Sequence, residues 1–137
     1  MSAFAESRLE SNVAAKIGGV LYVVWGALHL IAAWGIHVLA ASVPSGLTYG
    51  RLEQAAWNLA VFALLAMVLG VTLNWRNDKV GYWINLIVVA VVDFGFVIFV
   101  IVPGYVSASA AALVGPIVYV IAASFSTIGL RLSRPLN

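Results

Sequence analysis

Residues 83–103 read WINLIVVAVVDFGFVIFVIVP, and this stretch decides the fold. At about 1.5 Å of rise per residue it crosses roughly 30 Å of hydrocarbon as one α-helix. Asn85 and Asp93 are its strongly polar side chains, and Asp93 stands in the middle. A carboxyl there costs roughly 2.5–3.5 kcal/mol on insertion scales, so it is expected to face a partner or a wet cavity rather than lipid. Asp93 is therefore the first candidate for function.

Working outward, the same reading finds four apolar runs at about 15–41, 53–75, 80–102 and 109–131, each long enough to span a bilayer. The expected fold is all-α, a four-helix transmembrane bundle, with residues 1–137 as a single transmembrane domain. Pro44, Ser45, Gly46 and Gly50 break the chain after the first run, Arg76 to Lys79 form a charged turn after the second, and Pro103-Gly104 ends the third. Composition agrees: 64% of residues are hydrophobic and 9% are charged, with a mean hydropathy of +1.06. Lipid must be the solvent of such a surface.

Charge fixes the expected orientation. Arg8, Lys16, Arg76, Lys79, Arg131 and Arg134 fall on one side of the four runs and Arg51 alone on the other, so both termini are expected to be cytoplasmic. Trp34, Tyr49, Trp57 and Tyr105 near one end, with Trp75, Tyr82 and Trp83 near the other, fit two interfacial aromatic belts. Residues 2–12 are polar and are expected to form a short cytoplasmic lead-in. The first run, preceded by basic residues and ending in Leu39-Ala40-Ala41, has some of the marks of a signal peptide, but it is too long for one. With a net charge of +2 spread over segment ends, no nucleic-acid partner is expected. Eukaryotic targeting signals are not evident, and a bacterial plasma membrane is the expected location.

Counting residues from the basic rim gives each polar group a depth. His29 lies 13 residues past Lys16, Asp93 lies 14 past Lys79, and Tyr119 lies 12 before Arg131. All three then sit roughly 18–21 Å above the rim, near the bilayer centre. His37, Glu53 and Asn58 form a second layer nearer the opposite interface, at roughly 27–35 Å. In the fourth run, Pro116, Tyr119, Ala123 and Ser126 share a stripe at helical spacing that is expected to face the bundle. Asn85 is placed to extend the polar path from Asp93 toward the rim.

These residues allow acid–base chemistry. Asp93 is expected to act as general acid or base, His29 to set its charge, and Tyr119 to donate a hydrogen bond. Glu53, opening the second run, is expected at a cavity mouth. Trp25, His37, Trp57, Asn58 and Phe94 are the expected ligand contacts, with Trp25, Trp57 and Phe94 as apolar walls. The same groups also admit a structural reading, in which Asp93 is simply satisfied by His29, Tyr119 or Ser124.

Other chemistries find little support. There is no cysteine, no H-E-x-x-H and no E-x-x-H, so no metal is expected. Both histidines belong to one run, eight residues apart, and cannot clasp a haem from opposite faces within one chain. No cofactor is expected. Gly-x-Ser-x-Gly and phosphate-binding loops are absent.

The general plan, four short runs with a histidine in the first, as in Gly26-Ala27-Leu28-His29-Leu30, is similar to that of small bacterial membrane proteins, DoxX-like ones among them. The resemblance implies a four-span architecture and transfers no residue roles. The Arg/Asn/Glu-rich second helix of glutathione-dependent four-helix membrane enzymes is missing. Three functions remain open. The bundle encloses a pocket that binds, isomerises or cyclises a small lipophilic molecule; it is an accessory subunit of a larger membrane complex; or it is a proton-coupled transporter or channel subunit working as a homo-oligomer. The lipid bilayer is a partner in all three.

Overall fold

The computed structural model describes residues 3–133, with side chains described from Asn12 onward, so Arg8, Arg134 and most of the polar lead-in lie outside the described side chains. The chain forms α1 (Ala3–Ala41), α2 (Leu47–Thr72), α3 (Lys79–Phe96) and α4 (Ala110–Leu132). A 3-10 turn, Asn74–Arg76, links α2 to α3, and a π-helical turn, Val97–Ile101, prolongs α3. Four segments, Asn12–Ala41, Leu47–Arg76, Lys79–Ile101 and Ala110–Leu132, are long and apolar enough to cross a membrane. Helix is the form that such sequences must take in lipid, because every backbone N–H and C=O has to be bonded within the segment. The protein is an all-α, multi-pass four-helix bundle.

Local chemistry sets the ends. Gly46, at φ 154°, turns the chain where a side chain would be strained. Winding then starts at Leu47, six residues before the expected start at Glu53, and Gly50 lies inside the helix with its N–H on Gly46 O at 3.0 Å. Asp78 caps α3 by accepting from the N–H groups of Val80 and Gly81, and Ser109 caps α4 by accepting from Ala112. Before Pro103, the third span ends in the wider π geometry, with Val102 N–H bonded to Val97 O at 2.9 Å.

α1 lies along both α2 and α4, and α3 closes the opposite corner by touching those same two helices. Small residues bring the α1 backbone close to its neighbours. A Cβ on Gly19 would come within 2.7 Å of Gly70 O, and one on Gly70 within 2.8 Å of Gly19 O. Further along, Gly26 meets Ala63 and Met67, and His37 meets Glu53. Residue numbers rise on α1 as they fall on α2, which is antiparallel packing. Gly18 against Ser126 and Gly115 against His29 repeat the pattern between α1 and α4.

Packing is uneven along the bundle axis. Tyr22, Trp25, Ala66, Val89 and Ala122 form the buried core, with Leu21, Val92, Val118 and Tyr119 against it. This core fills the half between the basic rim and Asp93. Beyond Asp93 the buried residues are Ala33, Ala40, Ala56 and Gly115, none with more than a methyl side chain. Leu52, Leu59, Val97, Val100, Leu113 and Pro116 are only half-buried there. Among the described residues, the far half of the bundle buries no large side chain.

Candidate functional site

α3 buries one stripe, Gly81, Tyr82, Asn85, Val89 and Asp93, at three- and four-residue spacing. That stripe carries the Asp93 carboxyl into the bundle, where the residue is 4% exposed. From the diagonally opposite helix, α1, come Trp25 and His29, one turn apart. Trp25 Nε1–H donates to Asp93 Oδ2 at 3.0 Å, and His29 Nε2 lies 3.3 Å from Asp93 Oδ1. The expected approach of His29 and Asp93 is present, their side chains 3.3 Å apart.

The tautomer of His29 follows from its other nitrogen. Nδ1 is 2.9 Å from the backbone oxygen of Trp25, one turn earlier. A carbonyl oxygen only accepts, so Nδ1 carries a hydrogen and donates it. Nε2 then faces Asp93 Oδ1 either as a lone pair or as a second N–H. At 3.3 Å this contact is not a hydrogen bond, and Oδ1 is a buried oxygen without a hydrogen-bond partner. A proton between the two, on Oδ1 with a neutral ring or on Nε2 with a carboxylate, would make the contact attractive. Both arrangements have zero net charge, which is how a carboxyl is tolerated away from water.

Trp25 holds both members of this pair. Its indole N–H engages Asp93, its carbonyl engages His29, and its ring stacks on the imidazole with centroids 3.7 Å apart and planes 24° apart. Expected as an apolar wall, Trp25 instead positions the two ionisable groups. On the other flank, a Cβ on Gly115 of α4 would approach His29 Cε1 to 2.7 Å and Nε2 to 3.3 Å, so a glycine is required there. No sequence signal marked Gly115, because its importance comes from a neighbour on another helix.

Tyr119 does not bond the carboxyl as expected. Its hydroxyl donates to Leu86 O at 3.0 Å, with Asp93 in electrostatic range. Ser124 is also turned away and donates to Val120 O within its own helix. The α4 stripe that faces inward is Gly115, Ala122, Ser126 and Gly129, with Pro116, Tyr119 and Ala123 half-buried at its edge.

His37 and Glu53 form a separate pair at the far end, with His37 Nδ1 at 2.9 and 3.1 Å from the two carboxylate oxygens. Their side chains are 46% and 31% exposed, so this pair clasps the ends of α1 and α2 at the surface. Trp34 packs at its side with ring centroids 5.2 Å from His37. Asn58 is exposed and away from the buried pair. Trp57 and Phe94, expected as pocket walls, are 70% and 65% exposed and point outward. Helical phase explains both corrections: Phe94 follows the buried Asp93 by 100°, and Trp57 follows the buried Ala56 by the same angle.

Among the described residues, no three His, Cys, Asp or Glu side chains gather at one point. No family model, curated protein or solved structure matches this chain.

Proposed function

We propose that this protein is an intramembrane acid–base site for a small lipophilic molecule, which enters the far half of the bundle and exchanges a proton with the His29–Asp93 pair. The observation that carries this reading is the position of that pair. An imidazole and a carboxyl stand 3.3 Å apart inside the bundle, and the residues further along α3 and α4, Val97, Val100, Leu113 and Pro116 among them, are apolar and half-buried. Such a region suits an apolar guest, and a convergent polar group at its base supplies orientation and chemistry. Asp93 Oδ1 and His29 Nε2 are the reacting atoms: a proton passes from one of them to the bound molecule and is later recovered. Isomerisation or cyclisation of an isoprenoid-like substrate needs only such transfers, and hydration needs one water molecule besides. Tyr119 and Glu53 stand beside this chemistry rather than in it.

The membrane is read as a bacterial plasma membrane, with the basic rim of Lys16, Arg76, Lys79 and Arg131 in the cytoplasm and the far half toward the outer leaflet.

Native mass spectrometry of protein released gently from its own membrane tests the reading. The expected spectrum has one chain, or a homo-oligomer, carrying a discrete lipophilic adduct, and the adduct is lost in Asp93→Asn while the variant still inserts and folds. Equal retention by Asp93→Asn, or a stoichiometric hetero-complex without an adduct, overturns it.

A further inference from the structure

Below the His29–Asp93 pair, toward the basic rim, lies a second set of buried polar groups. Tyr22 on α1, Asn74 in the 3-10 turn, Asn85 on α3 and Ser126 on α4 are all between 0% and 4% exposed. Each carries a buried atom with no hydrogen-bond partner: Tyr22 Oη, Asn74 Nδ2, Asn85 Oδ1 and Ser126 Oγ. Counted from the rim, Tyr22, Asn85 and Ser126 lie five or six residues deep and Asn74 two, and Asn74 meets Asn85 through its side chain. Asn85 Nδ2–H donates to Asn74 Oδ1 at 2.9 Å and lies 3.3 Å from Ala66 O. Ala66 belongs with Tyr22 to the buried core cluster. Gly18, one turn before Tyr22, leaves the room that Ser126 Oγ occupies.

Taken together, the four atoms are chemically complementary to water. Asn74 Nδ2 offers a hydrogen, Asn85 Oδ1 accepts one, and the two hydroxyls do either. Buried polar groups in this state recruit ordered water, which typically makes about three hydrogen bonds to such groups. Upward from this level, the Tyr119 hydroxyl, having donated to the carbonyl of Leu86 next to Asn85, still has lone pairs to accept, and Asp93 Oδ1 is itself a buried oxygen without a hydrogen-bond partner. Downward, Tyr82 Oη and Thr127 Oγ1 are 3.0 Å apart near the rim. Polar groups thus recur at several heights between the rim and Asp93.

We infer that Tyr22, Asn74, Asn85 and Ser126 enclose a site for bound water, and that this hydrated layer is the proton inlet of the His29–Asp93 pair, open to the basic rim. This inference rests on the reading of that pair as a proton-exchanging site. Along the inlet each oxygen accepts one proton and releases another, so the pair is recharged with no oxidant or reductant and no net change in the layer. Proton and lipophilic molecule then reach Asp93 from opposite ends of the bundle, which keeps the apolar entrance dry.

Nuclear magnetic resonance of the full-length, ¹⁵N-labelled protein in phospholipid nanodiscs tests this with water itself as the probe. The side-chain amide hydrogens of Asn74 and Asn85 are expected to receive magnetisation from water despite their burial. Ser126→Ala and, separately, Asn85→Leu are expected to slow exchange of the His29 ring N–H with water by about tenfold, a step on the scale of one lost hydrogen bond, with the His29 ring signals otherwise in place. Glu53→Gln, at the other end, is expected to leave that exchange unchanged. Absent transfer to both amides, unchanged exchange in Ser126→Ala, or slowing by Glu53→Gln each overturns the inlet. None of these measurements needs a lipophilic ligand, so their failure is distinct from the loss of an adduct in the mass spectrum.

Discussion

At the scale of single residues, the unusual one is Trp25, because three different parts of it hold two ionisable partners. Trp25→Phe keeps an aromatic ring against His29 and removes only the N–H that Asp93 Oδ2 accepts. Leaving that buried oxygen unpaired is expected to destabilise the protein by about 1–3 kcal/mol, measured by thermal unfolding in detergent. Replacement without loss of stability would mean that the indole bond contributes nothing. Gly115→Ala acts on the same pair from the other flank, since its methyl meets His29 Cε1. Displacement of the imidazole from Asp93 is expected, visible as changed ¹⁵N shifts of the His29 ring, and unchanged shifts would show that α4 yields instead.

Between elements, what matters is how closely α1 can approach α2. Gly19 and Gly70 each face the other's carbonyl oxygen, so neither site has room for a methyl. Gly19→Ala or Gly70→Ala is expected to destabilise the fold by about 1–3 kcal/mol through overpacking, despite the better helix propensity of alanine. Gly35 sits on the same helix with nothing within 4 Å of its would-be Cβ. There the same substitution is expected to be neutral or stabilising by up to about 1 kcal/mol. Equal effects at Gly19 and Gly35 in one unfolding assay would rule out close packing as the cause. The Asp78 cap is a third element-level contact, and Asp78→Ala is expected to lose about 0.5–2 kcal/mol.

The molecule as a whole buries its large side chains between the basic rim and Asp93 and only small ones beyond it. Amide hydrogen exchange in nanodiscs is expected to follow that division, with residues 95–102 and 110–116 exchanging faster than 81–92 and 119–130. Uniform protection of both groups would contradict the looser far half that the proposed entrance requires. Orientation can be read from the same molecule because the chain has no cysteine of its own. In intact cells, Ser107→Cys is expected to react with a membrane-impermeant maleimide and Arg76→Cys to be protected.

The sequence by itself determined the solvent, the number of spans and the depth of each polar group. Those follow from runs of apolar side chains and a fixed rise per residue, which lipid enforces by forbidding unpaired backbone. Depth counting was enough to bring His29 and Asp93 to one level. It did not show which way each helix is turned about its axis, and one residue of phase separates buried Asp93 from exposed Phe94. Tyr119 illustrates the same limit, since its long side chain reaches the Leu86 carbonyl instead of the carboxyl at its own level. Only the tertiary structure decided that Trp25 holds the pair, that Gly115 makes room for it, and that Asn74 meets Asn85 while Tyr22 and Ser126 are buried. Each of these depends on interhelical rotation and close approach, set by small residues on neighbouring helices rather than by any pattern within one.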